Sequence, residues 1–300
     1  MTTNLCIGTT SFGLDYGISN KSGQVSQKEV KEILRCAYAN NVNYIDTAQS
    51  YGNAEEVLGQ SFDPSCDFKI VTKLYTQGSP SDFWDDSQCE RWELDFQLSL
   101  KKLCKPSIYA LLLHNPADLC RCDSHRLLTW MQSLIDRKLV QKIGISIYEA
   151  SDLNDLPLEH LHLVQLPLSI YDQRLLLDGT VDNLHSLGKS VHARSIFLQG
   201  LVLLDTKKWP FYQSVGFLDH HKRWLQTLHQ NNSNPVMAAL GFIRKVNNLE
   251  AVLVGVNSAS QFNEILSSWN STIRLPNKIT SAQWAWDDSR DLDPRCWPNR

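Results

Sequence analysis

The feature that most constrains the fold is the alternation of short apolar runs with amphipathic segments along the whole chain. Short apolar runs are typical of buried strands, whereas apolar residues three and four positions apart are typical of helices. About eight strands separated by helices, in a chain of 300 residues, predict an α/β protein with a (β/α)8 TIM barrel. The strand-like runs are Leu5–Gly8, Tyr44–Ile45, Lys69–Thr72, Ile108–Leu113, Lys142–Ile145, Leu161–Leu166, Ser190–Ala193 and Ala251–Val254.

A doubly wound nucleotide-binding sheet is the alternative architecture. That fold holds a pyrophosphate on a G-x-G-x-x-G turn after its first strand, and the chain has no such turn and no G-x-x-x-x-G-K-[ST] loop. No linker, repeat or low-complexity segment divides the sequence. We therefore predict one barrel domain spanning residues 1–300.

Two of the helical segments carry specific signals. Ser26 precedes one segment and Glu29 follows three residues later, which is a capping-box pattern. In another segment Leu94, Leu98 and Leu103 fall on one stripe, which predicts that these leucines face the core.

Composition and charge exclude several classes of function. A net charge of −3 without a basic block argues against nucleic-acid binding. The longest apolar run, residues 108–113, is too short to cross a bilayer, and the amino terminus has no export signal, so we predict a cytoplasmic protein. Eight scattered cysteines suit reduced thiols. Cys120 and Cys122 near His125 lack the second half of a metal site, so no metal is predicted.

Polar residues stand where the predicted strands end, and in a barrel of this type those positions share one mouth. Any one of them alone is more often a cap or a solvated side chain, but together they would converge on one axis. The residues are Asp46, Lys73, His114, Ser146, Gln165, Arg194 and Ser195.

A tyrosine added to this set of residues could act as a general acid. A phenol is a weak acid at neutral pH, but a neighbouring cation stabilises the phenolate and lowers the pKa of the phenol. Tyr51 could therefore protonate a carbonyl oxygen as hydride reaches the carbon, with Lys73 as the cation and Asp46 as its partner. His114 could hydrogen-bond the same oxygen. Since no side chain supplies a hydride, a nicotinamide cofactor is implied.

The segment around these residues resembles the D-T-A-x-x-Y-G-x-x-E-x-x-L-G segment of the aldo-keto reductase superfamily, and the agreement continues in order along almost the whole chain. The matching segments are IDTAQSYGNAEEVLG (45–59), VTK (71–73), LLLHNP (111–116), IGIS (143–146), VQLPLSIYD (164–172) and SASQFNEIL (258–266). The resemblance implies a (β/α)8 barrel that reduces aldehydes or ketones with NADPH or, less often, NADH. It also implies a catalytic tetrad of Asp46, Tyr51, Lys73 and His114, with Tyr51 as the general acid.

The resemblance extends to the cofactor. Ser146 and Gln165 match residues that hold the nicotinamide carboxamide, although Ile147 replaces the usual asparagine after the serine. Arg194 stands where the family usually stacks an aromatic ring on the nicotinamide. The full set implied to bind the cofactor is Thr9, Thr10, Ser146, Gln165, Arg194, Ser195, Gly255, Asn257, Ser258 and Gln261.

The segment 255–261 has no lysine or arginine where many relatives hold the 2′-phosphate of NADPH. Helix-start amides are one substitute, and Arg244 and Lys245 are another. The resemblance favours NADPH, with NADH as the competitor.

The sequence thus predicts an NAD(P)H-dependent oxidoreductase acting on a small-molecule aldehyde or ketone. The alternatives are the reverse oxidation of a sugar or polyol, a redox-sensing subunit that binds nicotinamide, and a barrel isomerase or lyase. Candidate substrate walls are residues 75–84, Asn115–Pro116, Tyr148 and the tail tryptophans. The connection 197–222 is expected to lie beside the mouth. The substrate, the physiological direction and the oligomeric state are not specified.

Overall fold

Eight parallel strands close into a barrel in which each strand is hydrogen-bonded to the next along the chain and the last pairs with the first. The computed structural model describes residues 3–76, 83–209, 213–271 and 275–297. The predicted (β/α)8 architecture is confirmed. The strands are β1 (Asn4–Gly8), β2 (Tyr44–Asp46), β3 (Lys69–Leu74), β4 (Ile108–Leu113), β5 (Val140–Ser146), β6 (Leu163–Pro167), β7 (Ser190–Arg194) and β8 (Ala251–Gly255).

Helices follow the strands and surround the barrel. The described α-helices are α1 (Thr10–Gly13), α2 (Gln27–Ala39), α3 (Ala54–Gly59), α4 (Asp86–Lys102), α5 (Ser124–Asp136), α6 (Arg174–Leu177), α7 (Thr180–Ser186), α8 (Val215–Gln230), α9 (Pro235–Ile243), α10 (Ala259–Ser271), α11 (Asn277–Thr280) and α12 (Ser289–Leu292). Short 3-10 helices complete the description: Pro116–Leu119, Ala150–Leu153, Leu158–His160, Leu198–Leu203, Thr206–Lys208, Ala282–Trp284 and Pro294–Cys296.

Alternate side chains along each strand belong to two different apolar clusters. Leu111 and Leu113 pack outward into the large core beneath the helices, whereas Leu112 belongs to a smaller cluster inside the barrel. Because side chains alternate with a period of two, the residue two positions beyond an interior side chain also points inward. His114 follows Leu112 in this way, as Lys73 follows Val71. The strand register therefore aims the predicted site residues at the barrel axis.

The predicted leucine stripe on α4 is wrong for two of its three members. Leu94 and Leu98 are 68% and 46% exposed, whereas Leu103 is buried. Trp92 and Phe96 occupy the buried face instead. Aromatic side chains bury more area than leucine, so the face that carries them turns inward.

A polar network closes the amino-terminal end of the barrel. The Glu250 carboxylate accepts hydrogen bonds from Tyr44 Oη at 3.0 Å and Lys142 Nζ at 2.9 Å, and from Tyr109 Oη. Lys69 Nζ donates to Tyr44 Oη at 3.0 Å. In this fold the amino-terminal end serves stability, so the opposite mouth is where chemistry is expected.

Candidate active site

A cavity of about 450 Å³ opens at the carboxyl-terminal mouth of the barrel. Asp46, Tyr51, Lys73 and His114 all line it, so the four residues predicted from separate strand ends lie in one space. Cavities of this size bind small molecules in enzymes. The cavity is therefore the candidate active site.

At the floor of the cavity Lys73 and Asp46 form an ion pair. Lys73 Nζ lies 2.5 Å from Asp46 Oδ1 and donates to the Thr47 carbonyl at 3.0 Å, and the two charged side chains are 1% and 2% exposed. Burial lowers the pKa of Lys73, but the Asp46 carboxylate, with smaller contributions from Tyr51 and Cys6, raises it, and the pKa lies above its ordinary value. Lys73 is therefore a fixed cation beneath the site.

Close backbone contact places Tyr51 above that cation. A Cβ added to Gly13 would lie 1.8 Å from the Tyr51 carbonyl oxygen, and one added to Gly52 would lie 2.3 Å from the Gly13 carbonyl oxygen. Gly52 also has a φ of +57°, in the left-handed region that glycine adopts readily. These two glycines let the loop press against α1, and Lys73 Nζ lies 5.2 Å from the centre of the Tyr51 ring.

His114 completes the group as a neutral imidazole. Its ring lies edge-on to Tyr51 with 6.0 Å between centroids, and Ser50 Oγ lies 3.1 Å from Nδ1. Burial, with the charges of Lys73 and Arg194, lowers the pKa of His114 to about 4, against the opposing effect of Asp46. When Ser50 donates to Nδ1, the ring proton resides on Nε2, which can then donate to a carbonyl oxygen.

This lowered pKa predicts a measurable dependence of stability on pH. The unfolded chain protonates His114 near pH 6.5 and the folded chain near pH 4, so acid favours the unfolded chain between these values. His114→Gln cannot take up this proton. We expect the wild-type protein to lose up to about 3 kcal/mol more unfolding free energy than the variant between pH 7 and pH 4. Urea unfolding at several pH values measures the difference, and parallel curves would contradict the assignment.

Gln165 lines the cavity and has an unused hydrogen-bond acceptor. Its Nε2 donates to Asp46 Oδ2 at 2.7 Å, which leaves Oε1 as the free end of the amide. Oε1 is buried without a hydrogen-bond partner among the described residues. Buried acceptors are rarely left unpaired in proteins, so this atom marks a place for a donor group such as an amide NH2. Ser146 is paired with Gln165 in the sheet and also lines the cavity.

The cavity collects most, but not all, of the residues predicted to bind the cofactor. Thr9 lies behind the wall and donates to the Asp46 carbonyl at 3.0 Å, so it positions β2. Ser258 does not line the cavity and accepts a hydrogen bond from the Gln261 amide at 3.1 Å. The members that do line it are Thr10, Ser146, Gln165, Arg194, Ser195, Gly255, Asn257 and Gln261.

The start of α10 differs from the sequence expectation. Ser26 caps α2 as predicted, but the Glu29 carboxylate accepts from the Ala259 amide at 2.6 Å rather than completing the capping box. The Asn257 amide donates to the Gln261 side chain at 2.9 Å. The amides of Asn257 and Ala259, which belong to the segment suggested as a phosphate site, thus already have partners: the first within its own segment and the second through α2, which packs beside α10.

The two cations suggested as substitutes are also engaged elsewhere. Arg244 donates to the Trp269 carbonyl, and Lys245 Nζ bonds the Leu275 carbonyl at 3.1 Å and Thr280 Oγ1 at 2.8 Å. Neither lines the cavity. Glu264 does line this end, where no lysine or arginine is found among the described lining residues.

Sequence reasoning missed a contact between two segments that both line the cavity. The Ile18 amide donates to the Gln199 carbonyl at 2.7 Å, and a Cβ on Gly200 would lie 2.2 Å from Ser19 Oγ. Gln199 itself has a φ of 54°. The start of the connection 197–222 thus lies at the mouth, as predicted, and the glycines were its only sequence signal; residues 210–212 lie outside the described chain.

The suggested substrate walls are mostly elsewhere. Tyr75 and Phe83 are 52% and 60% exposed, and Trp84 packs against Trp92. Residues 77–82 of that loop lie outside the described chain. Tyr148 lines the cavity, whereas none of the described tail tryptophans does; they pack against the α8 region and within the tail.

Two further features of the described residues bear on function. No described helix has the length and apolar character needed to cross a membrane. Within the same residues, no group of three or more histidine, cysteine or acidic side chains is arranged to hold a metal ion.

Comparison with known proteins identifies the family. The model of the aldo/keto reductase family matches residues 4–279. This chain belongs to the aldo/keto reductase family. Family members use nicotinamide cofactors, so the protein is an oxidoreductase of that kind. A comparison of the sequence with curated proteins gave no match.

Solved aldo-keto reductases share the fold of this one at low sequence identity. The holo form of AKR11C1 from Bacillus halodurans has a TM-score of 0.71 at 18% identity, covering 92% of this chain and 89% of that one. A Pseudomonas aeruginosa protein assigned to the aldo-keto reductases has a TM-score of 0.65 at 18% identity, covering 91% and 92%. At identities this low the comparison shows the fold alone, so the chemistry is argued from the residues of the site.

Proposed function

We propose that this aldo-keto reductase reduces an aldehyde or ketone to an alcohol with NADH or NADPH, and that Tyr51 is the general acid. The observation that carries the proposal is the buried pair of Lys73 and Asp46 beneath Tyr51, in one cavity with His114. A cation fixed beside a phenol favours the phenolate that remains after proton transfer.

Each member of the tetrad has a separate role in this proposal. Tyr51 protonates the carbonyl oxygen as negative charge develops on it. Lys73 stabilises the resulting phenolate, and Asp46 keeps Lys73 charged and in place. Neutral His114 donates a hydrogen bond to the same oxygen and orients the carbonyl group.

The residues present fit a nicotinamide. The unpartnered Oε1 of Gln165 would accept from the carboxamide NH2, and Ser146 beside it offers a second polar contact. When bound, the nicotinamide supplies the hydride that no side chain can supply. The predicted contact of Arg194 with the nicotinamide stays a prediction.

The choice between NADH and NADPH depends on the residues near the start of α10. The family resemblance favours NADPH, but Glu264 would repel a 2′-phosphate, and Glu29 already occupies an amide of α10. A ribose hydroxyl, in contrast, can donate to a carboxylate. We therefore infer that NADH binds more tightly than NADPH.

Nucleotide titration tests this inference. We expect both nucleotides to quench tryptophan fluorescence, with a Kd at least about tenfold lower for NADH. Glu264→Lys should improve NADPH binding by a similar factor, because it replaces a repelling charge with an attracting one. Tighter NADPH binding by the wild-type protein would reverse the preference, and absence of binding by either nucleotide would remove the proposed function.

Activity is tested by screening carbonyl compounds while following nucleotide absorbance. Reduction of at least one aldehyde or ketone supports the proposal, and turnover only of alcohols would assign the oxidative direction instead. The partner is a small-molecule carbonyl compound, and the cytoplasmic location stays a prediction that the eight free thiols support.

A further inference from the structure

Arg194 is a half-buried cation in the cavity wall that lacks an anionic partner. Its Nη2 donates to the Ile147 carbonyl at 2.9 Å, and its Nη1 donates to Ser195 Oγ at 3.2 Å. Among the described residues, no carboxylate oxygen lies within 4.0 Å of its guanidinium group. Both of its bonds go to neutral groups, so its full charge faces the cavity that it lines.

A second arginine contacts the same tyrosine ring, but its charge is neutralised by a carboxylate. Arg295 lies 3.5 Å from the centre of the Tyr148 ring, and Arg194 lies 4.0 Å from it. Arg295 donates to the Asp293 carboxylate at 2.6 Å, which neutralises it, and it does not line the cavity.

The charges around the tetrad do not offset Arg194. Lys73 is the other cation among the described lining residues, and Asp46 already balances it. His114 is neutral, and the charge of Arg194 contributes to its lowered pKa, which places the guanidinium within electrostatic reach of the reacting group. Glu264 is the other carboxylate among the described lining residues, and no ion pair joins it to Arg194, so the guanidinium is open to an anionic group of a ligand.

We propose that Arg194 binds an anionic group on the substrate, so that the preferred substrate is a carbonyl compound that also carries a carboxylate or a phosphate. The guanidinium has N–H groups beyond the two in use, and its planar fork matches the oxygens of either anion. The stack on Tyr148 and the bonds to Ile147 and Ser195 hold the fork in place before the substrate arrives. This inference rests on the proposed carbonyl reduction.

The test compares substrates in pairs that differ in charge. 4-Carboxybenzaldehyde is paired with methyl 4-formylbenzoate, and glyceraldehyde 3-phosphate with glyceraldehyde. A charge-assisted hydrogen bond contributes about 1.5–3 kcal/mol, so we expect kcat/KM to favour the anionic member of at least one pair by about 10- to 150-fold. The pair with the larger ratio distinguishes carboxylate from phosphate recognition.

Substitution assigns the preference to one residue. Arg194→Gln should lower the anionic-to-neutral ratio at least about tenfold, mainly through a higher KM for the anionic member, and Arg194→Lys should retain part of it. Arg295→Gln is the matched control, because it removes the other guanidinium from the same ring, and it should leave the ratio in place.

Three outcomes count against the inference. Ratios near one in the wild-type protein, with neutral substrates turned over, would overturn it and leave the proposed function intact. A ratio that falls equally in both glutamine variants would assign the effect to the Tyr148 stack instead. A change in nucleotide Kd without a change in the ratio would assign Arg194 to the cofactor. Absence of turnover with every carbonyl compound would instead remove the proposed function itself.

Discussion

Tyr51→Phe is expected to lower kcat by about 10²- to 10⁴-fold, the range over which general acids contribute. The variant loses only the hydroxyl that donates the proton, and the ring keeps its edge-on contact with His114. Nucleotide binding should stay within about a factor of two, since the cofactor contacts assigned to Gln165 and Ser146 are untouched. Single-turnover reduction of an aldehyde and fluorescence titration of the nucleotide measure the two quantities separately.

Tyr38→Phe is the matched control for this substitution. Tyr38 lies on α2, is 42% exposed, and donates a hydrogen bond to the Ser65 carbonyl at 3.4 Å, away from the cavity. The Tyr38→Phe substitution removes the same hydroxyl group from a residue outside the site, so turnover should not change. Wild-type turnover by Tyr51→Phe would take the phenol out of the mechanism, and binding without turnover in the wild-type protein would favour the redox-sensing alternative.

The second large effect concerns the buried ion pair. Asp46→Asn or Lys73→Met leaves one buried charge without its partner, which we expect to lower the free energy of unfolding by about 3–5 kcal/mol. Because a domain of ordinary stability has about 5–15 kcal/mol in total, this is a large fraction. Carbonyl reduction should fall in both variants as well, since Lys73 no longer stands charged and fixed beneath Tyr51.

The double variant separates loss of the pair from loss of a single side chain. With both charges removed, neither is left unpaired, so the double variant should be more stable than the sum of the two single losses implies. Glu32→Gln serves as a surface control: Glu32 pairs with Arg35 at 2.6 Å, but both side chains are well exposed, so its effect should stay below about 1 kcal/mol. Strict additivity of the unfolding free energies in the Asp46 and Lys73 cycle would contradict the coupling of the two charges.

Local pattern predicted the strands well and the helix faces less well. Each apolar run became a strand, because an all-parallel barrel buries both sides of its strands and needs continuous apolar sequence. Bounds shifted by a residue or two, so that Gln165 lies within β6 rather than near its end. The predicted leucine stripe on α4 was wrong because leucine spacing alone does not show that the face with the larger Trp92 and Phe96 is the buried one.

The sequence by itself predicted the fold class, which is confirmed, and named the four residues of the proposed tetrad, because strand periodicity and the order of polar residues after strands are local properties. Only the tertiary structure decided which charges are balanced. Asp46 and Lys73 are 27 residues apart yet neutralise each other, whereas Arg194 has no described carboxylate beside it. Glu29 reaches α10 across 230 positions and occupies an amide that the sequence left open for phosphate. Electrostatic pairing depends on distance in space, which a linear pattern does not contain.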